Sequence, residues 1–275
     1  MPLFEFELFP IEDITPWGTP EAPTLSWFAL SEGVFRIPVG DEVLFRYSPA
    51  ILSHWRVEGD SLRRDADYQV AAFARDTLGS VAAATARLPP LFEHIAIDAD
   101  LRGRLRRRSA EWSARSDEDA DRSYTAWRWL GERSPWMGYL SACPDFSFTR
   151  VGDDVHIAWD NTQSVLDGLR VWSADVGLHT LALDAFLAEC RSFAERLLAG
   201  MEARLTAIES GASRPRIPVS IVDLREQHGT WNRELASHFR EHHPDVAWSD
   251  AEAALREIAR EAGIALPAAR RTSGN

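Results

Sequence analysis

Apolar and acidic residues alternate at the start of the chain. Phe4, Phe6 and Leu8 are separated by Glu5 and Glu7, the period of two that half-buries a β-strand. A loop punctuated by Pro16, Gly18, Pro20 and Pro23 leads to three short apolar runs, Leu25 to Leu30, Val34 to Val39 and Glu42 to Tyr47. The turns Ser31-Glu32-Gly33 and Gly40-Asp41 divide them, so the pattern predicts an antiparallel meander. Pro38 has no amide hydrogen, which puts its strand at an edge or on a bulge there.

From residue 65 the period lengthens to that of a helix. Asp65 reads as the cap of a helix with Val70, Phe73, Thr77 and Val81 on one face, ended by Pro89-Pro90. Leu101, Leu105, Arg108 and Trp112 mark a second helix. Ser116 with Asp119 opens a third, which carries Tyr124, Trp127 and Leu130 and closes at Gly131. Strands return at Phe146 to Phe148 and Val155 to Trp159, joined through Gly152-Asp153, with another expected at Leu169 to Trp172. After Asp184, the residues Phe186, Cys190, Phe193, Leu197, Met201, Leu205 and Ile208 form one apolar stripe, a long amphipathic helix ended by Gly211 and Pro215. Two further helices are predicted. One carries Leu224, Trp231, Leu235 and Phe239 and stops at Pro244; the other opens on a Ser249–Glu252 capping box and stops at Gly263.

These elements predict an α+β fold. Antiparallel hairpins form a sheet packed against amphipathic helices, with a helical C-terminal region. Residues 1–210 read as the α+β core, 211–265 as a helical extension packed on it, and 266–275 as a flexible tail. Val39-Gly40-Asp41 recurs as Val151-Gly152-Asp153, through an ancient duplication or through independent use of a favourable hairpin turn.

Composition narrows the chemistry. All 30 basic residues are arginine, and a permanently charged guanidinium clamps anions but cannot serve as an amine nucleophile or a neutral base. Schiff-base chemistry, a pyridoxal-phosphate anchor and a lysine-bearing P-loop are therefore excluded. A net charge of −12 repels polyphosphate, which argues against nucleic acid, and attracts a cationic partner. Eleven tryptophans serve as core anchors or as a wide apolar surface for a partner. Cys143 and Cys190 have no metal-ligand spacing. With no apolar run near 18 residues and no basic-then-apolar leader, the expectation is a reduced, cytoplasmic protein without a membrane span.

Several polar groupings are candidates for chemistry. His238 and His242, four apart and flanked by Glu234 and His243, could grip a metal, but no third ligand has a fixed position. Asp117, Asp119 and Asp121 imitate a calcium loop but lack its glycine and its closing glutamate, and read as a solvated helix start. The arginines at 102, 104, 106, 107 and 108 read as a solvated helix face neutralised by the acidic stretch from Asp117. Neither a metal nor a cofactor is expected.

The second hairpin is the most suggestive. His156 lies on one strand face between Asp154 and Asp160, where flanking carboxylates would raise its pKa for proton transfer. A pocket between that hairpin and the Asp184 helix would combine His156, Asp160 and Glu189 as catalytic groups with Arg191, Trp159 and Trp172 as ligand contacts. Such a pocket would suit an anionic small molecule.

Phe4-Glu5-Phe6-Glu7-Leu8, Pro16-Trp17-Gly18, Trp27-Phe28, Leu44-Phe45-Arg46-Tyr47, Asp67-Tyr68-Gln69-Val70, Trp159-Asp160-Asn161, Phe186 to Arg204 and Val222-Asp223-Leu224 together carry a resemblance. Over nearly its whole length the chain resembles a bacterial domain-of-unknown-function family, common in actinobacteria, to which no reaction or catalytic residue is attached. In form that family is similar to the immunity proteins that neutralise bacterial toxins. Two expectations follow: a non-catalytic binding protein for a basic partner, or a small-molecule enzyme or ligand-binding protein built on the Arg/His/acidic pocket.

Overall fold

The computed structural model describes residues 2–55, 64–239 and 246–267. The N-terminal alternation forms β1 (Glu5–Leu8), and the proline-punctuated loop carries an exposed ribbon of β2 (Trp17–Thr19) and β3 (Ala22–Thr24). The central strand β4 (Glu32–Val39) pairs with β1 along one edge, and along the other with β5 (Glu42–Leu44) and β6 (Asp67–Gln69). Pro38 sits opposite Val43, two residues beyond the reach of β1, whose pairing begins at Glu5 opposite Arg36. Its missing donor thus faces a side with no strand to bond.

Leu25 to Leu30 is not a strand. Side chains satisfy the backbone locally instead, with Ser26 Oγ accepting from the Ala29 amide at 3.2 Å and Ser31 Oγ donating to the Phe28 carbonyl at 2.7 Å. A 3-10 turn over Ala29–Ser31 results.

After α1 (Pro49–His54), the helix predicted from Asp65 starts at Val70 as α2 (Val70–Gly79), with no side-chain cap. Asp65 instead bridges to Arg46 and is buried, accepting from Arg36 Nη1 at 2.8 Å and Arg46 Nε at 2.9 Å. α3 (Val81–Thr85) follows. It ends at an extended Ala86, before the prolines expected to stop it, and Pro89-Pro90 instead starts a helix absent from the sequence pattern, α4 (Pro90–Ile97), because proline fits the first helical position.

Asp98 caps α5 (Ala99–Ser113), and Ser116 caps α6 (Asp117–Gly131) as its spacing predicts. The arginine run is not uniformly solvated. Arg102 is buried, its guanidinium on the Ala96 carbonyl, and burial lowers its pKa. Its neighbours find acids outside the Asp117 stretch: Arg104 with Asp100, Arg106 with Asp145, and Arg108 with Glu111 and Glu261.

The second sheet has the order β11-β8-β7, formed by β7 (Phe146–Val151), β8 (Asp154–Asp160) and β11 (Val176–Ala182). A ribbon of β9 (Val165–Leu166) and β10 (Leu169–Arg170) lies between β8 and β11 in sequence, so the strand expected over Leu169 to Trp172 is cut short. Trp172 then bridges to Tyr47 and ties this segment to the first sheet. The Gly40 and Gly152 turns are alike. Each glycine has φ 64° at the first central position of a two-residue hairpin, where a side chain would be strained.

The long stripe forms α7 (Leu183–Glu209), with Phe186, Cys190, Phe193, Leu197, Met201 and Leu205 buried. α8 (Ile221–Ser237) is capped by Ser220, and α9 (Trp248–Glu261) already contains Ser249. Ser249 Oγ donates to Asp250, so the expected capping box is not made.

Two apolar clusters organise these elements. Both sheets, α2, α7 and α8 enclose the first, whose centre is Phe4, Phe35, Phe45, Phe73 and Phe193. Helices α4, α5, α6 and α9 enclose the second around Phe92, Trp112, Trp129 and Leu255. β7 lies between them: Phe146 and Phe148 face the first, while Ser147 and Thr149 are buried on the opposite face, where α3 and α4 pack. Among the described residues no helix is long and apolar enough to cross a membrane.

α8 grips the N-terminal segment through Trp27, whose amide donates to Gln227 Oε1 at 2.9 Å and whose indole donates to His228 Nδ1 at 3.1 Å. Glu202 and Arg225 face the same imidazole. Burial lowers the pKa of His228, and likewise of His156 and His238. A base with a depressed folded-state pKa favours folding while neutral, so this stability is present above about pH 6.5 and lost as pH falls through the folded-state values. Denaturant midpoints should stay level down to about pH 7 and fall below about pH 6.5. His228→Gln, which retains an acceptor for Trp27, should flatten part of that fall. A midpoint constant down to the carboxylate range would contradict it.

Candidate functional site

His156, Asp160 and Glu189 are not brought together. His156 lies on the outer face of β8, its Nδ1 3.1 Å from Thr180 Oγ1 on β11. Burial outweighs Asp154 there and lowers the imidazole pKa, opposite to the rise expected from flanking acids. Asp160 is four residues along the same strand, about 13 Å away at strand rise, and its Oδ1 accepts from the Thr162 amide at 3.1 Å and from Thr162 Oγ1 at 2.5 Å. Glu189, on α7, accepts from the Leu3 amide at 2.8 Å. Arg191 places its guanidinium 5.8 Å from the Phe239 ring centre. Trp159 and Trp172 are buried in the first cluster, Trp172 stacked on Tyr47 at 5.1 Å.

Of these residues, Asp160 borders a cleft. It forms where α5 and α6 meet the 132–146 connection and the loop after β8. Asn161, buried directly after Asp160, fastens the two loops. Its Oδ1 accepts from the Asp145 amide and its Nδ2 donates to the Ala174 carbonyl, each at 2.9 Å. Two recesses, about 680 and 500 Å³, share Arg106, Cys143 and Asp145. The larger sets the polar groups of Arg107, Asp160, Thr162 and Ser164 among apolar surface; the smaller is lined by Trp127, Leu130, Pro135, Trp136 and Pro144.

Trp136 stands at the lip, 68% exposed. Its ring lies against the Gly138 backbone, where a Cβ would come within 2.3 Å, and edge-on to Tyr139. Arg106 is paired with Asp145, whereas Arg107 has no ion-pair partner among the described residues. Burial pushes the Cys143 thiol up, so it remains a thiol near neutrality. Ser164 Oγ donates to the Cys143 carbonyl at 3.0 Å and Thr162 to Asp160, which occupies both hydroxyls. The arrangement can receive an apolar or aromatic group in one half and hold an acceptor or anion at Arg107 in the other.

Among the described residues no group of three or more His, Cys, Asp or Glu side chains is placed to hold a metal ion. His238 packs near α2, while His242 and His243 lie outside the described residues. Trp136, Asp145 and Asn161 carry no periodic signal. The trace they leave in the sequence is the long connection from Gly131 to Phe146 with Pro135 and Pro144, a length that commonly marks a binding loop.

No curated protein and no solved structure matches the chain. The model of a family described as "Family of unknown function (DUF5984)" matches residues 3–254, nearly all of the sequence, and the chain belongs to that family.

Proposed function

We propose that this protein is a non-catalytic binding protein for a cationic protein partner, in the manner of an immunity protein that neutralises a basic toxin, with the Trp136 cleft as its anchor. The observation that carries this reading is the indole of Trp136, two-thirds in water at the mouth of an aromatic recess. Interface energy concentrates in such tryptophans when a partner desolvates them. The charge balance supports it. Some arginines are turned inward onto main-chain carbonyls: Arg102 onto Ala96, Arg196 onto Phe4, and Arg204 onto Leu30 and Phe9. The net −12 is thus carried largely by exposed acids, which speed encounter with a basic surface.

Co-expression with the products of adjacent genes, followed by size-exclusion chromatography, is the test. A stable complex should form, and Trp136→Ala should weaken it by about 30-fold, the effect of removing one hot-spot side chain. If no neighbouring product forms a complex, the reading fails.

A second reading rests on Arg107. An unpaired guanidinium beside an aromatic recess suits a small anion with an apolar body. A thermal-shift screen of carboxylates and phosphate esters should then give a hit that Arg107→Ala abolishes and His156→Ala, away from the cleft, leaves unchanged.

A further inference from the structure

The two outer strands of the second sheet are treated differently. On β7, the Phe148 amide donates to the Arg133 carbonyl at 3.0 Å, so chain from the 132–146 connection covers that edge. On β11 the pairing with β8 is fixed by Asn161 N to Asp175 O and Leu183 N to Asp153 O. The odd-numbered residues of β11 therefore bond β8, and the backbone groups of Val176, Leu178 and Thr180 point outward. No bond to those outward amides or carbonyls is made among the described residues.

The strand is also unguarded. Val176 to Ala182 contains no charged side chain apart from His179 when protonated, no proline and no bulge, the devices that normally blunt a sheet edge. Val176 and Leu178 are 54% and 46% exposed on its outer face. Acids flank the run. Asp175 precedes it, Asp184 follows it, and Asp154 lies opposite Ala182. Asp184 and Asp154 have no ion-pair partner among the described residues.

We infer that β11 is a docking edge for an extended segment of the basic partner, which adds to the sheet as a fourth strand with a positive residue beside Asp154 and Asp184. Main-chain bonds to Val176, Leu178 and Thr180 supply affinity, and alternate apolar side chains cover Val176 and Leu178. Asp184 and Asp154, unpaired at the Ala182 end, select the charge, while Asp175 at the other end is held by Arg170. This rests on the reading of the chain as a binder of a cationic partner and adds a second contact for that partner besides the Trp136 cleft.

The probes are two short capped peptides of alternating threonine and valine, one ended by arginines and the other by glutamates, titrated calorimetrically into the full chain at low salt. The arginine-ended peptide should bind about ten-fold tighter or better, and binding should slow hydrogen exchange at Val176, Leu178 and Thr180. Leu178→Pro removes one outward donor and leaves the β8 ladder intact, so it should weaken binding at least about ten-fold. Asp184→Arg, which keeps every backbone donor, should erase the charge preference and guards against misfolding of the proline variant. Absence of binding, equal affinity for the two peptides, unchanged affinity in Leu178→Pro, or a dimer of this chain that the variant dissociates would each overturn the inference. None of these would cancel a complex seen on co-expression, so docking edge and binding function fail separately.

Discussion

Replacing Arg36 and Arg46 together by methionine should destabilise the fold by about 3–5 kcal/mol, the cost of stranding a buried charge. Their shared acceptor, Asp65, is 3% exposed, with one guanidinium on each carboxylate oxygen. The two arginines are themselves part-exposed, so they lose little hydration in making the pair. The desolvation burden thus sits on the carboxylate. Removing the acid instead should be milder: Asp65→Ala frees the Arg46 guanidinium to return to water and leaves Arg36 on Glu5, and about 1–2 kcal/mol is the expected loss. Adding Asp65→Ala to the double arginine variant should therefore restore part of the stability, since Glu5 still lacks Arg36, a coupling that denaturant titration of all three proteins would measure. If the triple variant is less stable than the double, Asp65 is not carrying a stranded charge.

Asp65 also shows where sequence pattern stops being informative. An aspartate a few residues before an apolar, helix-periodic run is what an N-cap looks like. Its actual partners lie 29 and 19 residues away, a relation invisible to local spacing. α7 was legible because one helix buries one stripe, and the β7–β8 hairpin because a glycine turn separates alternating strands. β11 was not. It has apolar residues on both faces, with Gly177 and His179 among the inward ones, so no single period dominates Val176 to Ala182. The cleft was least legible, since it is a meeting of loops. Asp160 was singled out for its place beside His156, but it matters through Asn161 and Asp145, residues whose positions depend on tertiary contact. Propensity and periodicity describe how an element buries itself; a site between elements has no period to read.

Phe73→Ala should cost about 3–5 kcal/mol, the range for deleting a fully buried phenylalanine. Phe73 stacks on Phe35 at 4.3 Å between ring centres, meets Phe45 edge-on at 5.4 Å, and touches Phe4 and Phe193 at 6.3 and 5.2 Å. α2 thereby bears on both β4 and α7. The ring also supports a strained neighbour. Phe45 has φ 69°, a left-handed conformation in which a bulky side chain is rare. Phe35, Phe73, Phe146 and Trp172 surround its ring, so burial there opposes a backbone penalty of about 1–3 kcal/mol. Taking Phe73 away leaves a void beside Phe45 and removes packing that offsets that backbone penalty, which should place Phe73→Ala toward the upper end of the range. Phe73→Leu, which keeps most of the volume, should lose less than half as much. Guanidinium titrations with an unchanged slope and a shifted midpoint would establish the difference. A loss below about 1.5 kcal/mol for the alanine variant would mean that the surrounding rings collapse into the void, and that the left-handed turn at Phe45 is held by the bridge between Arg46 and Asp65 rather than by aromatic packing.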